Sequence, residues 1–424
     1  MFQKQTRATR ASLAAVVGLG VALTAGCGGQ ATDTGTPPAA AELDQADLSA
    51  QFRFRRDFPR AQFGDPIPGA TAAEVAAFTA GKGVFEEVET PADGLGPVFN
   101  GASCAECHGV PATGGGSDSL ETRFGKFANF AFDPLANLGG SLIQAKGIGK
   151  AGNCDFVGET VPPDANRASQ RRATPLFGLG LVDAVPESTF RYIANYEARN
   201  FPRQSGRIGF VHDIANNRMA VGRFGWKDQV PTLHQFSGDA YLNEMGITNP
   251  EFPDESCPQG DCSLLACNPV PALNDDGTDV DAFTAFMSLL MPPPPPAPTA
   301  NVDLGRRKFS YAGCIHCHWS TLRTGTSPSP TFDRVTFHPY SDFLLHDMGS
   351  LGDGIQLGGA RGREFRTAPL WGVRVITTFL HDGRASTLSD AILAHDGEAR
   401  DARDRFAAFS RVDQAALIEF VNSL

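Results

Sequence analysis

Two pentapeptides carry the chemistry of this chain, Cys104-Ala105-Glu106-Cys107-His108 and Cys314-Ile315-His316-Cys317-His318, and both read C-x-x-C-H. On one helical turn, residues at i, i+3 and i+4 share a face, so two thiols can each meet a vinyl group of one haem. The histidine that follows then lies beneath the iron as axial ligand, which makes the pattern the attachment signature of c-type haem. A zinc site would not demand His directly after the second Cys twice. A thioredoxin-like dithiol expects a βαβ setting that the sequence lacks. The expected cofactors are two covalently bound haem c groups, held by Cys104, Cys107, Cys314 and Cys317, with iron ligands His108 and His318. Whether calcium accompanies them is left open.

The elements that position these motifs are themselves repeated. Met291-Pro292-Pro293-Pro294-Pro295-Pro296-Ala297-Pro298 reads as a semi-rigid spacer with one motif on either side. Arg172-Ala173-Thr174-Pro175-Leu176-Phe177-Gly178 echoes Arg366-Thr367-Ala368-Pro369-Leu370-Trp371-Gly372, and Phe224 to Leu233 parallels Phe379 to Leu388, with Trp226 in the place of His381. Each Thr-Leu is followed by an apolar pattern at helical spacing, and strand signals are weak. The expected fold is mainly α, two cytochrome c-like haem domains from an internal duplication, with long loops. Domain bounds follow: N-terminal haem domain 61–290 with an insertion at about 183–222, Pro-rich linker 291–300, C-terminal domain 301–424. A long insertion of that kind is where function concentrates.

Composition narrows the partners. The charge of −11 argues against nucleic acid, whose phosphates need clustered Lys and Arg. Hydrophobic content of 42% is ordinary for a globular protein and excludes a multi-span membrane protein. Phe supplies 31 of the aromatics against five Tyr and three Trp, a skew that suits apolar packing around something large and flat. Residues 1–27 read as a signal peptide: basic Lys4, Arg7 and Arg10, an apolar run from Ala11 to Leu23, then Thr24-Ala25-Gly26-Cys27. Small residues before Cys27 resemble the lipobox of bacterial lipoproteins, so Cys27 is expected to carry a lipid anchor. Residues 28–60 are expected to be a flexible tether, on the periplasmic side of a membrane, the outer one of a Gram-negative cell. Cys154, Cys257, Cys262 and Cys267 remain. An even remainder in an oxidising compartment suggests two disulfides, with three pairings open.

The paired motifs, the R-x-A-P-L-x-G echoes and His381-Asp382-Gly383-Arg384-Ala385-Ser386-Thr387-Leu388 resemble the bacterial di-haem cytochrome c peroxidase superfamily. Gly222 to Lys227, Asn243 to Thr248 and Leu344 to Gly349 resemble its di-haem oxidoreductase or "putative peroxidase" branch, often labelled thiol oxidoreductases. The resemblance runs from about Phe85 to the C-terminus. It implies that the C-terminal haem stores and relays electrons while the N-terminal haem meets hydrogen peroxide or oxygen. It places the second ligand of the C-terminal haem at His395, with Met348 as the rival. It makes Glu244 the catalytic proton shuttle and Trp226 the catalytic relay between the haems. The glutamine of the superfamily's Thr-Leu-x-x-Gln pattern is Phe236 here, with Gln235 beside it. His381 is expected to fix its loop by hydrogen bonding and His316 to point outward.

An exported oxidoreductase follows, a cytochrome-c peroxidase-like enzyme supplied by a small cytochrome-like donor. Haem propionates add to the acidic balance, which would steer a basic donor. An oxygenase resembling rubber oxygenase and a non-catalytic electron carrier stay open.

Overall fold

A computed structural model describes residues 61–424, apart from Pro298. The signal peptide, Cys27 and the tether lie outside the described residues. The first half carries helices α1 (Ala72–Glu86), α2 (Cys104–Cys107), α3 (Leu179–Asp183), α4 (Glu187–Asn200), α5 (Leu233–Met245) and α6 (Thr278–Leu289). The second carries α7 (Val302–Ala312), α8 (Leu388–Ala394), α9 (Arg400–Ala407) and α10 (Arg411–Asn422). No described helix is long and apolar enough to cross a membrane.

In each half the helix ahead of C-x-x-C-H crosses the last helix of that half, α1 on α6 and α7 on α10. Both crossings close on a glycine. A Cβ on Gly81 would lie 2.2 Å from the Ala282 carbonyl oxygen and 3.1 Å from Phe286 Cβ; on Gly305 it would lie 2.0 Å from the Ala416 carbonyl and 2.6 Å from Phe420 Cβ. Four residues on, Phe85 and Phe309 pack against Phe286 and Phe420, at 4.9 and 5.3 Å between ring centroids. Each of the two also stands 6.2 Å from the histidine ring of its own motif. Two crossings at different sequence separations thus reach one geometry.

The echoes agree in backbone as well. Phe224 bridges Val230 as Phe379 bridges Ala385. Thr232 and Thr387 cap α5 and α8 with the same φ −133° and ψ 156°. Gly178 and Gly372 both take left-handed φ, 73° and 69°. Trp371 and Pro292 press on Gly178, and Pro293 presses on Gly372, so a side chain at either position would be crowded as well as strained.

Two expectations need correction. Helix accounts for 34% and strand for 16% of residues, more strand than a mainly α reading allows. Leu120–Ala128 pairs with Ala131–Asp133, Leu142–Ile143 and Arg167–Arg172, and five further two-stranded ladders occur among the described residues. Arg167–Arg172 (Arg-Ala-Ser-Gln-Arg-Arg) has no apolar alternation, so only its tertiary partner makes it a strand. The Pro-rich segment, expected as a semi-rigid spacer, is instead packed into the fold. Met291 and Pro293 are buried, the Met291 N–H donates to the Asp65 carbonyl, and Arg374 donates to the Pro294 carbonyl. The described residues 61–424 fall in one compact unit. The disulfides, left open by the sequence, pair Cys154 with Cys267 and Cys257 with Cys262.

Candidate active site

Four cysteines are free among the described residues, and they are the four of the C-x-x-C-H motifs. In the second half, Cys314, Cys317, His318, His395 and Met348 line one cavity of about 350 Å³. His318 is placed by the turn after α7. Its Nδ1–H donates to the Tyr340 carbonyl at 2.9 Å, which leaves Nε2 for a metal. His395 sits at the C-cap of α8, and its Nδ1–H donates to the Ala391 carbonyl at 2.7 Å, with the same consequence. Burial pushes His318 down to about 4 and His395 down as well, so both imidazoles are neutral and fit for ligation. The cavity wall is mainly apolar, with Phe309, Leu388, Ile392, Leu417 and Val421, but it also carries Arg172, Arg366 and Arg403 and continues into the first half along Thr174 and Trp226.

Two buried polar atoms in residues of this wall make no hydrogen bond, Arg172 Nε and His381 Nε2. An apolar slot with two thiols, two free imidazole nitrogens and a cationic donor at one edge suits a flat macrocycle with anionic substituents. The residues present fit a haem here. His381 departs from expectation: its ring stacks on Phe365 at 4.2 Å rather than fixing the loop through Nε2, whose nearest acid, Asp382, is 3.8 Å away. The loop is held instead by the His381 carbonyl, which accepts from the Arg172 N–H at 2.7 Å. His316 turns from the cavity, stacked on Phe201 at 3.7 Å with Nδ1 at 2.7 Å from Gln204.

In the first half, Ser103 caps α2 and His108 follows it. His108 Nδ1–H donates to the Gly115 carbonyl at 3.0 Å, and the Thr174 backbone also faces the ring. Burial lowers this histidine too. The thiols of Cys104 and Cys107 are pushed up to about 12 and about 11 by burial, so they stay neutral until they react. This donor set also fits a haem.

Glu244, near the end of α5, is half-buried and close enough to Cys107 for its charge to act on the thiol. It accepts from Asn100 Nδ2 at 2.7 Å. Glu121, on the strand Leu120–Ala128, meets it carboxyl to carboxyl and is paired with Arg123 at 3.0 Å. Burial, then the neighbouring Glu121 charge, raises Glu244 to about 8, while Arg123 holds Glu121 below the usual range despite its burial. The two shifts run in opposite directions, which favours the proton on Glu244 and the charge on Glu121. Glu121 and Arg123 escaped the sequence reading because they lie on a strand more than a hundred residues before Glu244. Gln235 does not take the missing glutamine's place: its amide is spent on the backbone of His212 and Ile214.

Trp226 occupies the site equivalent to His381, and the two rings are 6.3 Å apart. Its Nε1–H donates to the Arg172 carbonyl at 2.8 Å, and Thr174, two residues further along, reaches His108. Trp226 also lines the C-terminal cavity. His346, unassigned from sequence, is buried with its nitrogens 2.9 Å from Asp342 and 2.8 Å from Glu398, and Cys317 Sγ is 3.7 Å from Nδ1. Cys317, Asp342 and His346 converge as metal ligands do, but attachment of Cys317 to haem would leave only two.

Among solved structures the chain is similar to a hydrazine synthase of Kuenenia stuttgartiensis, at 13% identity and TM-score 0.38, covering 96% of this chain and 99% of that one. It is also similar to the diheme peroxidase BthA of Burkholderia thailandensis, at 16% identity and TM-score 0.38, covering 86% and 88%. No curated protein matches. The family described as "Di-haem oxidoreductase, putative peroxidase" matches residues 155–424, starting after the first C-x-x-C-H rather than at Phe85. That match spans well over half of the chain, so the protein belongs to the di-haem oxidoreductase family and is an oxidoreductase of two haems.

Proposed function

We propose that this oxidoreductase reduces hydrogen peroxide, with its haems attached covalently at Cys104 and Cys107 and at Cys314 and Cys317 of two duplicated haem domains. When bound, the haems supply the redox chemistry, the N-terminal group reducing peroxide with electrons from the C-terminal one. The observation that carries this reading is the asymmetry of the two halves in one register. Eight residues after the capping Thr387 comes His395, a ligand beside His318. Eight residues after the capping Thr232 comes Ala240, which has no donor to offer, and α5 runs on to carry the half-buried Glu244 to Asn100 and Glu121. In the C-terminal half two histidines, His318 and His395, would hold a haem iron, whereas in the N-terminal half only His108 would, which would leave room for a small oxidant.

The chain's own residues then move protons. With the proton on Glu244 and the charge on Glu121, the pair can accept one proton from peroxide and also return one to the leaving hydroxide. Asn100 and Arg123 hold the two carboxyls in place. Trp226 lines one cavity with His318, His395 and the Arg172–Thr174 segment that reaches His108, which supports a relay role. Export, the lipid anchor at Cys27 and a small basic electron donor belong to the same proposal and rest on the sequence.

Mixing the di-haem protein with hydrogen peroxide, in oxidised and half-reduced states, tests it. Rapid loss of peroxide with a change in the Soret band is expected. Glu244→Gln should cut turnover by about a hundredfold or more. The pH profile should fall on its alkaline side near 8, where Glu244 loses its proton, and on its acid side where Glu121 is neutralised. No peroxide reaction in either state would overturn the reading and turn attention to oxygen with an apolar substrate.

A further inference from the structure

The insertion of the first half lies over the haem motif of the second. Helix α4 carries Tyr192 and Tyr196 one turn apart, with rings 6.1 Å from centroid to centroid and near-parallel at 23°. Tyr196 meets Trp319 edge-on at 5.6 Å, and Trp319 follows the iron ligand His318 directly in sequence. Tyr196 also touches Phe201, whose ring stacks on His316 inside the motif. At the outer end Tyr192 is 38% exposed, while Tyr196 and Trp319 are half-buried. In a chain with only five Tyr and three Trp against 31 Phe, three of those eight oxidisable rings stand in one line from solvent to the C-terminal motif.

We propose that Tyr192, Tyr196 and Trp319 form a single-electron relay between the protein surface and the C-terminal haem. Once a strong oxidant of the peroxide class has oxidised the haems, the electron leaves the inner end first: Trp319 gives one electron inward to the oxidised cofactor, Tyr196 refills Trp319, and Tyr192 refills Tyr196. The phenolic proton of Tyr192 passes to water as its electron leaves and returns when a one-electron donor at the surface reduces it. Tyr196 likewise releases its phenolic proton as its electron leaves and takes it back when Tyr192 refills it, so no net proton is consumed and no bond changes beyond these two O–H bonds. Ring separations of this order suit stepwise transfer, and a Phe at any of the three positions would keep the packing while removing the oxidisable group. This relay rests on the oxidoreductase reading, with peroxide or another oxidant strong enough to draw an electron from Trp and Tyr.

The test uses the full di-haem protein with Ser188→Cys, an exposed position one helical turn before Tyr192. The described native cysteines are occupied by haem or disulfides, so the new thiol takes a ruthenium polypyridyl label. Flash oxidation of the label, with the C-terminal haem reduced beforehand, reads electron flow as haem oxidation. A fast phase is expected in the parent, lost in Tyr192→Phe and in Tyr196→Phe, and restored in Tyr196→Trp. Tyr311→Phe is the control: Tyr311 is 73% exposed but its ring neighbour is Phe409, so the fast phase should persist. A fast phase that survives Tyr192→Phe and Tyr196→Phe unchanged would overturn the relay. Peroxide consumption, measured separately on the same variants, reports on the peroxidase reading alone.

Discussion

His318 and His395 each spend Nδ1 on a backbone carbonyl and leave Nε2 free, as a histidine ligand would, and His108 likewise spends Nδ1 on the Gly115 carbonyl. His346 spends both nitrogens on carboxylates and His381 stacks on Phe365. The contrast favours His395 over Met348 as partner of His318. His395→Ala should convert the C-terminal haem from a low-spin to a high-spin absorption spectrum, whereas Met348→Leu should leave it low-spin. The reverse result would transfer the ligand role to Met348. His108 and His318 were legible because a covalent motif fixes them. Glu121 was not, since a carboxylate on a polar strand carries no local sign of the partner it meets.

At the scale of elements, the glycine crossings are the repeated joint. Gly81 and Gly305 admit a carbonyl of the opposing helix where any Cβ would collide with it, and rigid backbone cannot yield as a flexible side chain would. Gly305→Ala should therefore cost about 1–3 kcal/mol, read as a lower urea midpoint, and Gly81→Ala should behave alike. Gly83→Ala should not, because nothing lies within 4 Å of where its methyl would stand. Helices were legible from periodicity and from Thr caps at Thr232 and Thr387. The short ladders were not: strands of two or three residues, such as Val98–Phe99 with Lys146–Gly147, are too brief to show alternation.

Across the whole molecule the two halves exchange hydrogen bonds reciprocally. The Arg172 N–H donates to the His381 carbonyl, and the Arg366 N–H donates to the Trp226 carbonyl at 2.9 Å. Each R-x-A-P-L-x-G echo thus clasps the paired loop of the other half, with Trp226 and His381 facing one another where the halves meet. The Pro-rich segment is pinned on both echo glycines, so the halves form one body rather than two beads on a spacer. The acidic surface implied by a charge of −11 should make reduction by a small basic cytochrome slow down as salt rises, because screening removes the steering field. A salt-independent rate in stopped flow would point to an apolar or neutral donor.

The sequence by itself determined the haem cofactor, the two C-x-x-C-H motifs, the repetition of the echoes and the register that sets Trp226 against His381, because each of these rests on short-range spacing. Tertiary structure alone decided the disulfide pairing, the packing of the Pro-rich run, the Glu121–Glu244 pair and the tyrosines of α4 over the second motif. Those depend on which distant segments come together, and a contact between residues a hundred positions apart leaves no trace in the local pattern of either.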